Sequence, residues 1–193
     1  MTQTPDINTG QRRLEPLKFN LWLILGSITI MFAAFTSAYI VRREEGNWLA
    51  FDLPSVLLIN TIILVLSSVF MQWAYSSAKK DNLGTLKIAL ILTALAGTAF
   101  LVGQWEGWAE LVRNNVYFGG SSSNPSGSFL YVLTGVHAFH LITGLIFVII
   151  VVISAFRYKV HSKNLLRIEL CTTYWHFLGA LWIYLYVFLL LNH

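Results

Sequence analysis

The sequence predicts an all-α integral membrane protein with five transmembrane helices, its N-terminus in the cytoplasm and its C-terminus outside. Three observations predict it. The 193-residue chain is 56% hydrophobic and only 11% charged, whereas a soluble domain is about a quarter charged. Its few charges divide the apolar residues into five runs, each near the roughly 20 residues that cross ~30 Å of hydrocarbon. The basic residues, moreover, are unequally shared between the two sides that those runs define.

Residues 1–18 are polar and read as a cytoplasmic segment, followed by one transmembrane domain over 19–193. Span one, 19–41, is uncharged between Lys18 and Arg42. It is too long for the roughly 7–15-residue apolar region of a cleavable signal, so it is expected to stay in the mature protein. Span two, 54–75, opens on Pro54, where a first-turn proline costs least. Span three, 88–105, lies between Lys87 and Glu106; span four, 129–155, is the longest; span five, 170–191, opens after Glu169. The N-terminal segment and the loops near 76–87 and 156–169 then share a side. They carry Arg12, Arg13, Lys18, Lys79, Lys80, Lys87, Arg157, Lys159, Lys163 and Arg167, against Arg42, Arg43 and Arg113 on the other. Ten against three marks the cytoplasmic side.

Between spans three and four, the Gly- and Ser-rich stretch 119–127 reads as a flexible connection, or one ordered against a partner. Trp48, Trp105 and Trp108 lie at span ends, the interfacial position of indole. The single Cys171 excludes an internal disulfide and supplies no cysteine pair for a zinc or iron–sulfur site; it reads as a small buried hydrophobe. A pI near 9.3 calls for no nucleic acid, because basic residues in a membrane chain mark its cytoplasmic loops. With no phosphate-binding glycine loop, nucleophile–base pair or carboxylate pair in the sequence, self-contained catalysis is not expected.

The chemistry concentrates in histidines. His137 and His140 stand one turn apart in Thr134-Gly135-Val136-His137-Ala138-Phe139-His140, and His176 follows in Tyr174-Trp175-His176-Phe177. Ionisable side chains in hydrocarbon are rare and functional by default. Three roles are open. Haem ligation needs ligands at one depth, and counting from the charged span ends puts His140 roughly 22 Å and His176 roughly 9 Å from the inner side. A proton relay needs a continuous polar series, yet spans one and two hold no acid or base, and Glu106 and Glu169 lie at opposite ends. Helix packing needs only one donated and one accepted hydrogen bond per neutral imidazole. Gly135, Ala138 and Gly144 permit close backbone approach, and Thr134 and Thr143 can bond backbone carbonyls. The residues favour packing. Glu169 is expected to pair with Arg167 or to meet the positive end of its helix. Gln104-Trp105-Glu106 reads as a polar cluster or an interfacial anchor, and Tyr174, Tyr184 and Tyr186 as aromatic packing.

At these strings the chain resembles subunit III of the haem–copper terminal oxidases, especially cytochrome c oxidase, in its short five-helix bacterial form. The matching residues are Thr134, Gly135, His137, His140 and Gly144 on span four, and Glu169, Trp175, His176 and Trp182 at and within span five. Gln104 and Glu106 look like the polar motif that ends the preceding helix in the family. The resemblance runs from Phe19 to the C-terminus and is strongest over the last two spans. It implies a non-catalytic subunit of an aa3-type cytochrome c oxidase in the aerobic respiratory chain, in the bacterial cytoplasmic membrane. Such a subunit packs directly on subunit I, with subunit II, a small subunit IV and a respiratory supercomplex as further partners. Haem and copper belong to those partners; this chain is expected to hold no metal and no catalytic residue. The resemblance also implies phospholipid bound in a cleft between helices, and support of proton uptake. Homologous subunits of quinol oxidases and nitric oxide reductases are similar, and a stand-alone haem- or proton-carrying membrane protein is the alternative of another class. Two positions depart from the pattern. Ile28, in Gly26-Ser27-Ile28-Thr29, stands near where many members carry an intramembrane glutamate. Gly179 stands where an aspartate is frequent, so a polar contact near His176 is expected to be lost or supplied by another subunit.

Overall fold

A computed structural model describes residues 9–49, 51–120, 123–157, 160 and 164–192, with side chains from Pro16 onward. Its elements are α1 (Thr9–Glu44), α2 (Val56–Lys79), α3 (Leu83–Arg113), α4 (Pro125–Phe156) and α5 (Leu166–Asn192). All five are long and apolar enough to cross a membrane. In hydrocarbon every backbone N–H and C=O must be bonded within the segment, which leaves a chain this apolar little but helices to form.

The helices overrun the charge-free spans. Lys and Arg stems reach toward the headgroups while their backbone stays helical, so a charge marks the edge of hydrocarbon rather than the end of a helix. α1 starts at Thr9, inside the polar segment, with Pro16 within it, and residues 1–8 of that segment lie outside the described residues. α3 continues two turns past Trp105. Pro54 is the exception: it precedes α2, and its carbonyl accepts the Leu57 N–H at 3.0 Å. The stretch 119–127 is also shorter as a loop than expected. Pro125 is the first residue of α4 and the Asn124 carboxamide caps it through Ser126 N–H at 3.1 Å, while residues 121 and 122 lie outside the described residues. Asn-Pro is a helix-start signal, and the Gly/Ser composition around it hid it. Asn124 also accepts from Leu49 N–H and donates to the Asn47 carbonyl, tying the two connections at this end together.

α2, α3, α4 and α5 form a ring in which each helix touches the next and α5 returns to α2. Short connections make ring neighbours antiparallel. α1 lies outside the ring against α4 and α5. The core holds Leu57, Leu64, Met71, Phe100, Leu141, Trp175 and Trp182, but Ile59, Ile62, Val102, Ile149 and Ile150 are as apolar and face outward. Apolarity alone therefore cannot choose the inside; small residues and hydrogen bonds do. A Cβ on Gly97 would stand 2.7 Å from the Trp175 ring, and one on Gly103 would collide with the Asn60 carboxamide. Direct ties join the helices pairwise. Trp175 Nε1 donates to Ser67 Oγ at 2.8 Å and Trp182 Nε1 to Thr61 Oγ1 at 3.0 Å, both α5 to α2. Trp108 Nε1 donates to Thr134 Oγ1 at 3.0 Å, α3 to α4. The Thr143 and Tyr174 hydroxyls meet at 2.8 Å, α4 to α5, and those of Thr36 and Tyr184 at 3.0 Å, α1 to α5.

Candidate functional site

Contacts between α4 and α5 set the depth of the histidines. The His137 ring lies 5.0 Å from the Trp182 ring, Thr143 meets Tyr174, and Gly144 backs onto Trp175 and Leu178. This antiparallel register puts His140 level with residue 178, two residues from His176, or ~3 Å along the axis. The large depth mismatch counted from charged span ends is therefore corrected: α4 runs further inward than its partner, so the two ends are poor rulers. What separates the histidines is the face each uses.

His137 points into the ring, fully buried, between Trp182 and the edge of Phe100, whose centroid is 5.9 Å away. Neither of its nitrogens meets a protein partner, so the direct helix-pinning bond expected of it does not form. His140 turns toward α1, 6.1 Å from the Phe32 ring. Its Nδ1 lies 2.8 Å from the Val136 carbonyl of its own helix. A carbonyl only accepts, so Nδ1 carries the proton and Nε2 is left as an acceptor. His176 turns toward α2, where Nε2 lies 3.2 Å from Gln72 Oε1. The polar contact expected to be missing beside Gly179 is thus supplied within the chain, while Gly179 itself backs onto Ser68, whose Oγ would stand 3.0 Å from a Cβ there. The three rings face the core, α1 and α2 respectively, and cannot share one ligand. Among the described residues no three His, Cys, Asp or Glu side chains converge as metal ligands.

The other residues singled out in the sequence separate by face as well. Thr134 is buried, donating to the Leu130 carbonyl and accepting from Trp108. Gly144 is a tight site, where a Cβ would stand 2.8 Å from Leu178 Cδ1, whereas at Gly135 the nearest atom, on Trp108, would be 3.9 Å away. Only the first is a close-approach glycine. Trp175 and Trp182 supply the two ties to α2 described above. Glu169, in the first turn of α5, takes Lys18 of α1 at 2.6 Å; Arg167, its expected partner, instead reaches Ser154 Oγ at 3.4 Å. Gln104, Trp105 and Glu106 do not form a cluster: successive helical residues diverge by about 100°, so Gln104 is buried while Trp105 and Glu106 face outward. Trp48, just past the end of α1, packs its ring 4.7 Å from Tyr39 with its Nε1 buried.

Sequence reasoning missed the partners in these ties, Ser67, Thr61, Gln72 and Lys18, and the buried carboxamide of Asn60, which meets no protein partner. Ser and Thr in an apolar helix give no sign of which neighbour they serve. Gln72 and Asn60 did carry a signal, because a carboxamide inside a transmembrane helix is costly without a partner.

Comparison with known proteins agrees with the family that the motif strings suggest. The family profile described as cytochrome c oxidase subunit III matches residues 14–192. Subunit 3 of the cytochrome bo(3) ubiquinol oxidase of Buchnera aphidicola is 29% identical, over 90% of this chain and 93% of that relative. Cytochrome c oxidase subunit 3 of Homo sapiens is 28% identical and that of Rattus norvegicus 30%, each over 95% of this chain and 70% of the relative. The chain, five membrane-spanning helices carrying an inward His137 and outward His140 and His176, belongs to the cytochrome c oxidase subunit III family of the haem–copper oxidases.

Proposed function

We propose that the protein is the non-catalytic subunit III of an aa3-type cytochrome c oxidase, stabilising the subunit that carries haem and copper. The observation that carries this reading is the family match over residues 14–192 on a bundle whose histidines are divided among three faces. Chemistry that needs convergent ligands then belongs to the partner subunits, and this chain supplies packing, position and lipid contact. Affinity purification in mild detergent tests it. The tagged chain should bring down a haem–copper subunit and a subunit II with a copper-binding Cys/His domain; recovery of the chain alone would refute the assignment. A respiratory supercomplex would show in the same preparation.

The quinol-oxidase reading has one observation in its favour: the chain covers 93% of the ubiquinol oxidase relative but 70% of the human cytochrome c oxidase relative. Turnover decides between them. The purified complex should oxidise reduced cytochrome c; oxidation of a quinol with no activity on cytochrome c would reassign the donor.

Phospholipid binding belongs to the same proposal. Thr29, Phe32, Ala33, Phe177, Ala180, Leu181 and Tyr184 line an apolar groove of about 350 Å³ between α1 and α5, suited to an acyl chain. Lys18 and Glu169 lie further inward along the same seam, where a headgroup phosphate would meet the ammonium. The bacterial cytoplasmic membrane, with the basic loops inside, is the proposed location, and support of the partner's proton uptake the proposed service.

A further inference from the structure

We infer that Asn60, Gln104 and His137 enclose a buried hydration site in one half of the four-helix ring, which holds ordered water as a bridging ligand between α2, α3 and α4. All three side chains are at most 1% exposed. Both polar atoms of each are buried and meet no protein partner. These six atoms fall on three successive helices and, by the contacts around them, at one level. The Asn60 carboxamide lies against Gly103, the neighbour of Gln104. Gln104 is bracketed on α3 by Phe100, whose ring meets His137, and by Trp108, which bonds Thr134 one turn from His137. Trp182 closes the fourth side, with its ring against His137 and its Nε1 on Thr61, next to Asn60.

The donor set selects the ligand. Two carboxamides and a neutral imidazole offer three nitrogen donor groups and three acceptor atoms, with no carboxylate or ammonium among them. A metal ion would leave the N–H groups facing a cation, an anion would leave the acceptors facing like charge, and an apolar guest would satisfy none. Water donates and accepts in equal measure and commonly makes about three bonds when buried. Buried polar groups in folded proteins almost always find protein or ordered water; with protein partners missing, water is the ligand that completes these. His137 then does join helices, as the sequence suggested, but through a shared solvent molecule. This inference is independent of which electron donor the assembly uses.

A density map of the purified complex, at a resolution that shows ordered water, tests the site directly. Peaks within hydrogen-bond distance of at least two of Asn60, Gln104 and His137 are expected. A direct Gln104–His137 bond with no intervening density, or a dry layer, would overturn the inference. Radiolytic hydroxyl labelling of the same complex provides a second reading with an internal control. Trp182 and Trp175 are equally buried, but only Trp182 stands at the site. Oxidation of Trp182 and His137, with Trp175 protected, is expected; equal protection of both tryptophans would count against bound water. In the Gln104→Leu/His137→Phe variant the Trp182 label should fall to the Trp175 level, and persistence of the label would place its source elsewhere.

Discussion

Trp175 shows how one side chain in this bundle combines packing with a hydrogen bond between helices. Its ring fills the space left by Gly97 and Gly144, and its N–H ends on Ser67. The string around it is legible as a motif because Trp and His are conspicuous in an apolar run. What they touch is not, since Ser67 and Gly97 sit on helices more than 70 residues earlier in the chain, at positions identical in composition to many others. Two predictions belong here. Gly97→Ala drives a methyl into an indole that has nowhere to turn, so it should cost about 1–3 kcal/mol. Gly135→Ala meets only open van der Waals space and should be close to neutral. Thermal midpoints of the purified complex check both, and equal shifts would contradict the contact geometry. The His176–Gln72 pair is the second. Membrane-buried hydrogen bonds average ~0.6 kcal/mol in double-mutant cycles, and His176→Phe combined with Gln72→Leu should return a coupling of that order.

At the scale of the helix, all five expected spans are helices, because runs of about 20 apolar residues leave the backbone few other solutions. Boundaries are less legible, for a physical reason: charges report where hydrocarbon ends, and Lys18, Lys87 and Arg113 remain helical beyond it. The inner ends of α4 and α5 differ enough in depth that distances counted from them misplace two histidines. The start of α4 is written in Asn124-Pro125, but its Gly/Ser setting masks it. Asn124 supports both the α4 cap and the 47–49 segment. Asn124→Ala should therefore cost more than the ~1 kcal/mol typical of a lone cap, measured as a lower midpoint and faster proteolysis near residue 49. Lys18→Gln tests the α1–α5 ion pair. Its partners are both well exposed, so the effect should stay within about 0–1 kcal/mol and shrink with added salt.

For the whole molecule, composition alone settles a membrane-spanning all-helical fold, and the motif strings on the last two spans lead to the family. The ring of α2 to α5 with α1 outside is not legible, since inward and outward faces are equally apolar and nothing in one sequence says which helix closes on which. The ten-to-three distribution of basic residues predicts an orientation that single cysteines can check. Introduced at Gly120, a cysteine should react with an impermeant maleimide on intact cells; at Asp81 it should react only after lysis. The native Cys171 is buried and should stay silent. His140→Leu is predicted to lower the yield of assembled oxidase while leaving its haem spectrum unchanged, and a lost haem signal at full yield would contradict the packing role.

The place of α1 has a consequence for biosynthesis. Lys18, Thr36 and Tyr39 find their partners at Glu169, Tyr184 and Asn192, separations of 151, 148 and 153 residues. α1 thus leaves the ribosome well before the residues that seat it. At ~5–20 residues per second it waits about 8–30 s in the bilayer with the Tyr39 hydroxyl and the Lys18 ammonium lacking these partners, while Thr36 bonds the Phe32 carbonyl of its own helix. Whatever receives the nascent chain must shelter that helix until the α4–α5 hairpin arrives to meet it.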